Sequence, residues 1–121
     1  MDSVHQKGGV AIPAHPFQAN LSGQCLGNRL FSLQHLIALE TINASATDEE
    51  NHRARQAAYQ LDIAGVGGSD AHGPRAIGRA YTSFATAFSS MADLVEALRN
   101  GKYTARFNIS QIACSDLSRI L

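Results

Sequence analysis

Three polar residues, His15, Asn43 and Asp70, recur along the chain at intervals of 28 and 27 residues, each just after a short apolar run. Such runs are typical of buried strands, and the interval is close to the ~30 residues of a βαβ unit. Strands that alternate with helices in this way form parallel sheets with right-handed crossovers. The sequence therefore predicts an α/β fold with these residues at the carboxyl ends of its parallel strands, where α/β enzymes place their chemistry.

The predicted strands are separated by helices with clear end signals. The strands cover residues 10–14, 36–42, 62–66, 79–84 and 103–109. Thr47 and Glu50 form a capping box that opens a helix ending near residue 61, and Ser90 caps a helix that stops at Gly101. The remaining segments are predicted as a helix end at 1–9, a helical turn at 30–33 and a tail of unassigned structure at 110–121.

The stretch Gly67-Gly68-Ser69-Asp70-Ala71-His72-Gly73 puts a carboxylate and an imidazole two residues apart on a glycine-rich turn. In an extended segment, residues i and i+2 point to the same side, so Asp70 and His72 can converge. Oxygen and nitrogen ligands together suit zinc, manganese or iron. The alternative is that Asp70 caps a following helix and His72 is an ordinary loop residue. The position of His15 after a neighbouring strand favours a metal site formed by His15, Asp70 and His72.

Four further polar residues are secondary candidates. Regular alternation along strand 36–42 puts Glu40 on the face opposite to Asn43, so only one of the two is expected to face the site. Arg75 and Arg79 follow the glycine-rich turn, and their planar guanidinium groups suit substrate phosphate. For Arg75, a solvated loop charge is an equally good interpretation.

The composition excludes several classes of protein. With 121 residues, 45% apolar and 17% charged, the chain is globular and forms one domain or part of one. The formal net charge is zero, which argues against an electrostatic nucleic-acid binder. No run approaches the ~18 apolar residues of a membrane span, and Asp2, His5 and Lys7 interrupt any signal peptide. A cytoplasmic protein with Cys25 and Cys114 as reduced thiols is expected.

Three motifs together resemble the later motifs of PHP (polymerase and histidinol phosphatase) domains. They are Gly8-Gly9-Val10-Ala11-Ile12-Pro13-Ala14-His15-Pro16-Phe17, Leu39-Glu40-Thr41-Ile42-Asn43-Ala44 and Gly67-Gly68-Ser69-Asp70-Ala71-His72. The likeness is strongest to small stand-alone bacterial PHP phosphoesterases. It implies a distorted seven-stranded, TIM-like β/α barrel with up to three divalent metal ions (Zn, Mn or Fe), and a hydrolase acting on phosphate esters, commonly nucleotides or oligonucleotides. His15, Asp70 and His72 would then be metal ligands, with Asp70 and His72 serving different ions.

One departure from the family pattern leaves three functional hypotheses open. The family opens with a His-x-His motif, which this chain lacks, so residues 1–121 correspond to the C-terminal portion of a PHP domain. A fragment, a truncated gene product or one part of a split assembly is expected. The first hypothesis is a metal-dependent phosphoesterase; the second is a non-catalytic remnant that oligomerises. A third, a nucleotide-binding module built on Gly65-Val66-Gly67-Gly68, lacks the Lys-Ser/Thr that such glycine loops carry.

The same departure predicts association. A half barrel exposes strand edges and apolar surface that its absent strands would cover, and such edges pair with other chains. We expect a homo-oligomer formed near strand 10–14, or pairing with a missing N-terminal half. Light scattering at micromolar concentration should report a dimer or larger species, whereas a monodisperse, cooperatively folding monomer would contradict the prediction.

Overall fold

The computed structural model describes residues 2–111 of the chain. In this part, the α-helices are Asp2–Gln6 (α1), Asp48–Leu61 (α2) and Met91–Asn100 (α3), and the β-strands are Ala38–Asn43 (β1), Ala64–Gly68 (β2), Ala80–Phe84 (β3) and Tyr103–Phe107 (β4). Short 3-10 turns cover Gly27–Ser32, Pro74–Ala76 and Ile109–Gln111. Between residues 2 and 111, no helix has both the length and the apolar character needed to span a bilayer.

Strands β1 and β2 form the parallel pair that the sequence predicts. Ala38 lies opposite Ala64, and Asn43 lies opposite Gly68. Helix α2 makes the connection between them, so this part of the chain is a βαβ unit. The α/β class is therefore confirmed, and the carboxyl ends of β1 and β2 lie at one edge of the sheet.

The second pair of strands departs from the prediction of parallel strands. Strand β4 runs antiparallel to β3, with Ala80 opposite Phe107 and Phe84 opposite Tyr103. Alternation of strands and helices does not by itself fix strand direction, which depends on how the connecting segment returns the chain. The described residues form two small two-stranded sheets and no closed barrel. The TIM-like barrel implied by the PHP resemblance is not confirmed.

A side chain joins the two sheets. The Thr82 hydroxyl of β3 accepts a hydrogen bond from the Gly67 N–H at 3.0 Å and donates to the Gly67 carbonyl oxygen at 3.0 Å. The backbones approach closely at this point, because a Cβ atom on Gly67 would lie 2.6 Å from the Tyr81 carbonyl oxygen. Glycine is therefore required at position 67 for β3 to pack against β2.

The prediction of a first strand over residues 10–14 is wrong. Residues 10–14 contain no strand, although the segment lies beside β1, where the Glu40 N–H donates to the Pro13 carbonyl oxygen at 3.1 Å. Proline has no N–H to return, so a regular ladder cannot continue through this position. The predicted turn at 30–33 corresponds to Gly27–Ser32. Residues 112–121, with most of the predicted tail and Cys114, lie outside the described residues.

Both predicted helix caps are confirmed. The Thr47 hydroxyl accepts from the Glu50 N–H at 3.2 Å, and the Glu50 carboxylate accepts from the Thr47 N–H at 2.8 Å. Ser90 and Asp93 make the same reciprocal pair at the start of α3, with both distances 3.1 Å. Hydrogen bonds from Ser89 and Ser90 to its carboxylate hold the pKa of Asp93 below its usual value. Local hydrogen bonds thus fix where α2 and α3 begin.

The core lies between α2, β1 and the loop that precedes β1. Its buried cluster consists of Phe17, Leu30, Leu39, Ala54, Ala57 and Ala58. The three alanines lie on one stripe of α2, and their small side chains let the helix approach the sheet closely. The Arg53 guanidinium covers the Phe17 ring at 4.6 Å from its centroid. The loop before β1 is therefore packed into the core, which places His15 beside the sheet.

Leu39→Ala tests this description of the core. Leu39 is completely buried, so we expect the variant to lose about 2–5 kcal/mol of unfolding free energy through lost burial and a residual cavity. Leu21→Ala makes the same chemical change at a fully exposed position and should alter stability by less than ~0.5 kcal/mol. Urea unfolding measures both; equal losses for the two variants would contradict this core.

Candidate active site

The three predicted metal ligands lie around one cavity. His15, Asp70 and His72 line a cleft of about 710 Å³ that is also bordered by the loop running from residue 18 to residue 26 and by Arg29. This volume falls within the roughly 300–1,000 Å³ typical of small-molecule sites. The cleft is formed by the segment after residues 10–14 and by the turn after β2, so it occupies the sheet edge at which the sequence predicts a site.

Asp70 and His72 meet through a turn and not through an extended segment. Asp70 has a φ of 49°, in the left-handed region, so the expected i, i+2 geometry of a strand is wrong here. The His72 Nδ1 atom lies 2.8 Å from the Asp70 carbonyl oxygen. Because a carbonyl can only accept, Nδ1 carries the proton, and Nε2 of the neutral ring keeps its lone pair. Nε2 is therefore the ring atom available as a ligand or a base.

Ser45 ties together the loops that follow β1 and β2. Its hydroxyl lies within hydrogen-bonding distance of two carbonyl oxygens, those of Ser69 at 3.3 Å and Asp70 at 3.2 Å. Its own carbonyl accepts from the Gln18 side-chain amide at 3.4 Å. These hydrogen bonds connect the Asp70 turn to the loop after His15.

A β-bulge changes which residues of β1 lie on the same face of the sheet. Between Glu40 and Ile42 the register shifts, so that two steps along β1 match one step along β2 and Thr41 is the extra residue. As a result, the Glu40 Oε2 atom lies 3.1 Å from the Asn43 Nδ2 atom. The expectation that regular alternation separates Glu40 from Asn43 is wrong, and nothing in the sequence of β1 marks the bulge.

Both the backbone and the side chain of Asn43 are hydrogen-bonded. Only 1% of its surface is exposed. Its N–H donates to the Asn51 side-chain oxygen at 2.9 Å, and the Asn51 amide returns a hydrogen bond to the Asn43 carbonyl at 3.0 Å. The Asn43 Oδ1 atom accepts from the Ser45 and Ala46 N–H groups at 2.8 and 3.1 Å. These backbone donors fix the amide orientation and leave the Nδ2 donor facing Glu40.

His15 depends on the same carboxylate. Its backbone N–H donates to the Glu40 Oε2 atom at 2.6 Å. Its φ of 29° lies in the left-handed region, which is uncommon for a residue with a side chain. A strained conformation at a cavity is a common feature of functional sites. Glu40, a secondary candidate in the sequence, is thus attached directly to His15.

The arginine that lines the cleft is not one of those that the sequence nominates. Arg29 borders the cavity, and its guanidinium donates to the Cys25 carbonyl at 3.2 Å. Arg75 is exposed on a 3-10 turn, and Arg79 is half-buried before β3, with its carbonyl accepting from the Asn108 N–H at 2.8 Å. Neither borders this cleft. A phosphate contact by Arg75 or Arg79 stays a prediction.

The described residues do not form a complete metal site. Among residues 2–111, no three His, Cys, Asp or Glu side chains are grouped so that they could hold one ion. His72 has one feature of metal-bound histidines, because its Nδ1–H is taken by a backbone carbonyl. Zinc needs about four ligands, so His15, Asp70 and His72 alone leave the shell open.

One comparison with known proteins finds a match to part of the chain. Residues 48–103 match the family model described as PHP-associated. The match runs from α2 to the start of β4 and includes Asp70 and His72, but not His15 or Glu40. It confirms the resemblance to PHP domains and is consistent with the C-terminal region of such a domain. Neither a search of curated proteins nor a search of solved structures finds a match to the chain.

Asn43→Asp tests the contact between Asn43 and Glu40. The substitution keeps the shape but replaces the Nδ2 donor, 3.1 Å from Glu40, with a second carboxylate oxygen. We expect a loss of about 1–3 kcal/mol of unfolding free energy at about pH 7. Repulsion raises the pKa of one carboxyl in the folded variant, so the folded state binds more protons and the loss shrinks towards about pH 5.

The exposed position of Asn28 supplies the matched control. Asn28→Asp makes the same chemical change on the surface, and its stability should follow that of the wild type at both pH values. Urea unfolding measures all three proteins. If the two variants behaved alike, the Asn43 amide would not face the Glu40 carboxylate.

Proposed function

We propose that the chain is the C-terminal part of a metal-dependent phosphoesterase, with His15, Asp70 and His72 as its share of the metal ligands. The observation that carries the proposal is that these three residues, which come from two separate segments, line one cavity. The PHP-associated match over residues 48–103 supports the same assignment. The substrate class would be a phosphate ester, such as a nucleotide or oligonucleotide, and the remaining ligands would come from another segment or chain.

One cationic side chain borders the cleft and is available to an anionic ester. Arg29 supplies a guanidinium whose planar donors suit phosphate oxygens. His72 borders the same cleft and keeps its Nε2 lone pair when neutral. We propose that Arg29 orients the ester, which is the role that the sequence assigns to Arg75 and Arg79.

A second candidate function rests on the incomplete ligand set. The part of the chain that the structure describes has no three-residue group able to hold an ion, and the His72 side chain is 86% exposed. A non-catalytic PHP-fold subunit, which associates with another chain and binds no metal, agrees with these observations. The two candidates differ in whether metal binds selectively at His15, Asp70 and His72.

A zinc titration followed by NMR separates them. For the phosphoesterase part we expect weak, saturable shifts at His15, Asp70 and His72, because this chain supplies only part of the ligand shell of any ion bound there. His72→Ala should abolish these shifts. His52→Ala, at an exposed position on α2, is the matched control and should leave them unchanged. Shifts spread equally over all five histidines, or no shifts at all, would favour the non-catalytic subunit.

Turnover of bis(p-nitrophenyl) phosphate is the accompanying assay. The isolated chain should hydrolyse it poorly or not at all, since ligands are missing. Rapid turnover could be abolished by a chelator and by His72→Ala but left unchanged by His52→Ala. That result would support the enzyme assignment and contradict the claim that the metal site of the isolated chain is incomplete.

A further inference from the structure

We propose that Glu40 is a positioning residue that holds His15 in place, and that it acts neither as a metal ligand nor as a base. The inference rests on the proposed function only in treating His15 as a site residue. Glu40 reaches the His15 segment twice: its carboxylate accepts from the His15 N–H at 2.6 Å, and its own N–H donates to the Pro13 carbonyl at 3.1 Å. These two hydrogen bonds hold the chain immediately before the His15 side chain.

The His15 backbone needs such a restraint. A left-handed φ, here 29°, is unfavourable for a residue with a Cβ atom, because the Cβ atom then lies too close to the backbone. A hydrogen bond from a backbone N–H to a charged carboxylate is among the stronger kinds and can offset this cost. Beyond His15, the buried Pro16 is held by a hydrogen bond from the Gly27 N–H to its carbonyl at 2.8 Å. His15 is thus held on both sides.

The Glu40 carboxylate occupies a defined position, because both of its oxygens have close neighbours. Its Oε2 atom accepts from both the His15 N–H and the Asn43 side-chain amide. Its Oε1 atom lies against Gly68, where an added Cβ would come within 2.6 Å. The space for the carboxylate therefore exists because residue 68 has no side chain.

This arrangement leaves Glu40 little capacity for direct chemistry. One oxygen already accepts two hydrogen bonds, and the other is turned towards the backbone of β2. Glu40 is not among the described residues that line the cleft, whereas His15 is. Its effect on the site must therefore pass through the backbone of His15.

Three variants test the proposal. Glu40→Gln keeps an oxygen that can accept both hydrogen bonds, while Glu40→Leu removes both acceptors. Gly68→Ala leaves Glu40 in the sequence but places a methyl group against its Oε1 atom. The metal-free readout is the amide chemical shift of His15 and its HN–Hα coupling, which reports φ. The metal-dependent readout is the zinc-induced shift of His15 compared with that of His72.

We expect Glu40→Gln to keep the wild-type coupling and zinc response of His15, with only a small upfield change of its amide signal, because a neutral amide oxygen is a weaker acceptor than a carboxylate. Glu40→Leu and Gly68→Ala should move the His15 amide signal upfield, change its coupling and weaken the zinc response of His15 by about tenfold or more, with a smaller effect on His72. Glu49→Gln, on the exposed side of α2, and Gly73→Ala, where an added Cβ meets no atom within 4 Å, are the matched controls and should change nothing.

The outcomes separate this inference from the proposed function. If Glu40→Gln lost the zinc response as completely as Glu40→Leu, Glu40 would be a ligand or a base and the inference would be wrong. Unchanged His15 signals in Gly68→Ala would also overturn it, even if Glu40→Leu failed to fold. If wild-type protein bound no zinc at these residues, the proposed function would fail, while the metal-free His15 signals would still decide the role of Glu40.

Discussion

The candidate site depends on one carboxylate, that of Glu40, which accepts hydrogen bonds from the His15 N–H and the Asn43 side chain. This group joins a loop residue with a left-handed backbone to a buried amide on the same bulged strand as Glu40 itself. Each hydrogen bond is of the charge-assisted kind, which is stronger than one between neutral groups. Through this carboxylate, His15, which lines the cleft together with Asp70 and His72, is attached to the sheet.

The glycines of β2 make these close approaches possible. A Cβ on Gly65 would collide with the Thr41 side chain, one on Gly67 with the backbone of β3, and one on Gly68 with the Glu40 carboxylate. Three neighbours of the strand thus occupy the volume that side chains would fill. The glycine-rich stretch resembles a phosphate-binding loop in sequence, but its glycines are explained by packing against β1 and β3.

Local signals predicted much of this fold, and long-range pairing explains most of the errors. Helices α2 and α3 begin where Thr47 and Ser90 cap them, because capping hydrogen bonds lie within four residues. The direction of β4 and the bulge at Thr41 depend on partner strands that sequence periodicity does not reveal. At the site, His15, Asp70 and His72 were nominated by their place after apolar runs. The contact of Glu40 with His15 and the position of Arg29 at the cleft arise only when distant segments meet.

The most direct test of this account is NMR detection of scalar coupling through the hydrogen bond from the His15 N–H to the Glu40 carboxylate. At 2.6 Å between nitrogen and oxygen, the account predicts a correlation between the His15 amide nitrogen and the Glu40 side-chain carboxyl carbon, and slow exchange of that amide proton with solvent. A His15 amide that exchanges rapidly, or that correlates only with a backbone carbonyl, would contradict the central claim that Glu40 holds His15 at the cleft.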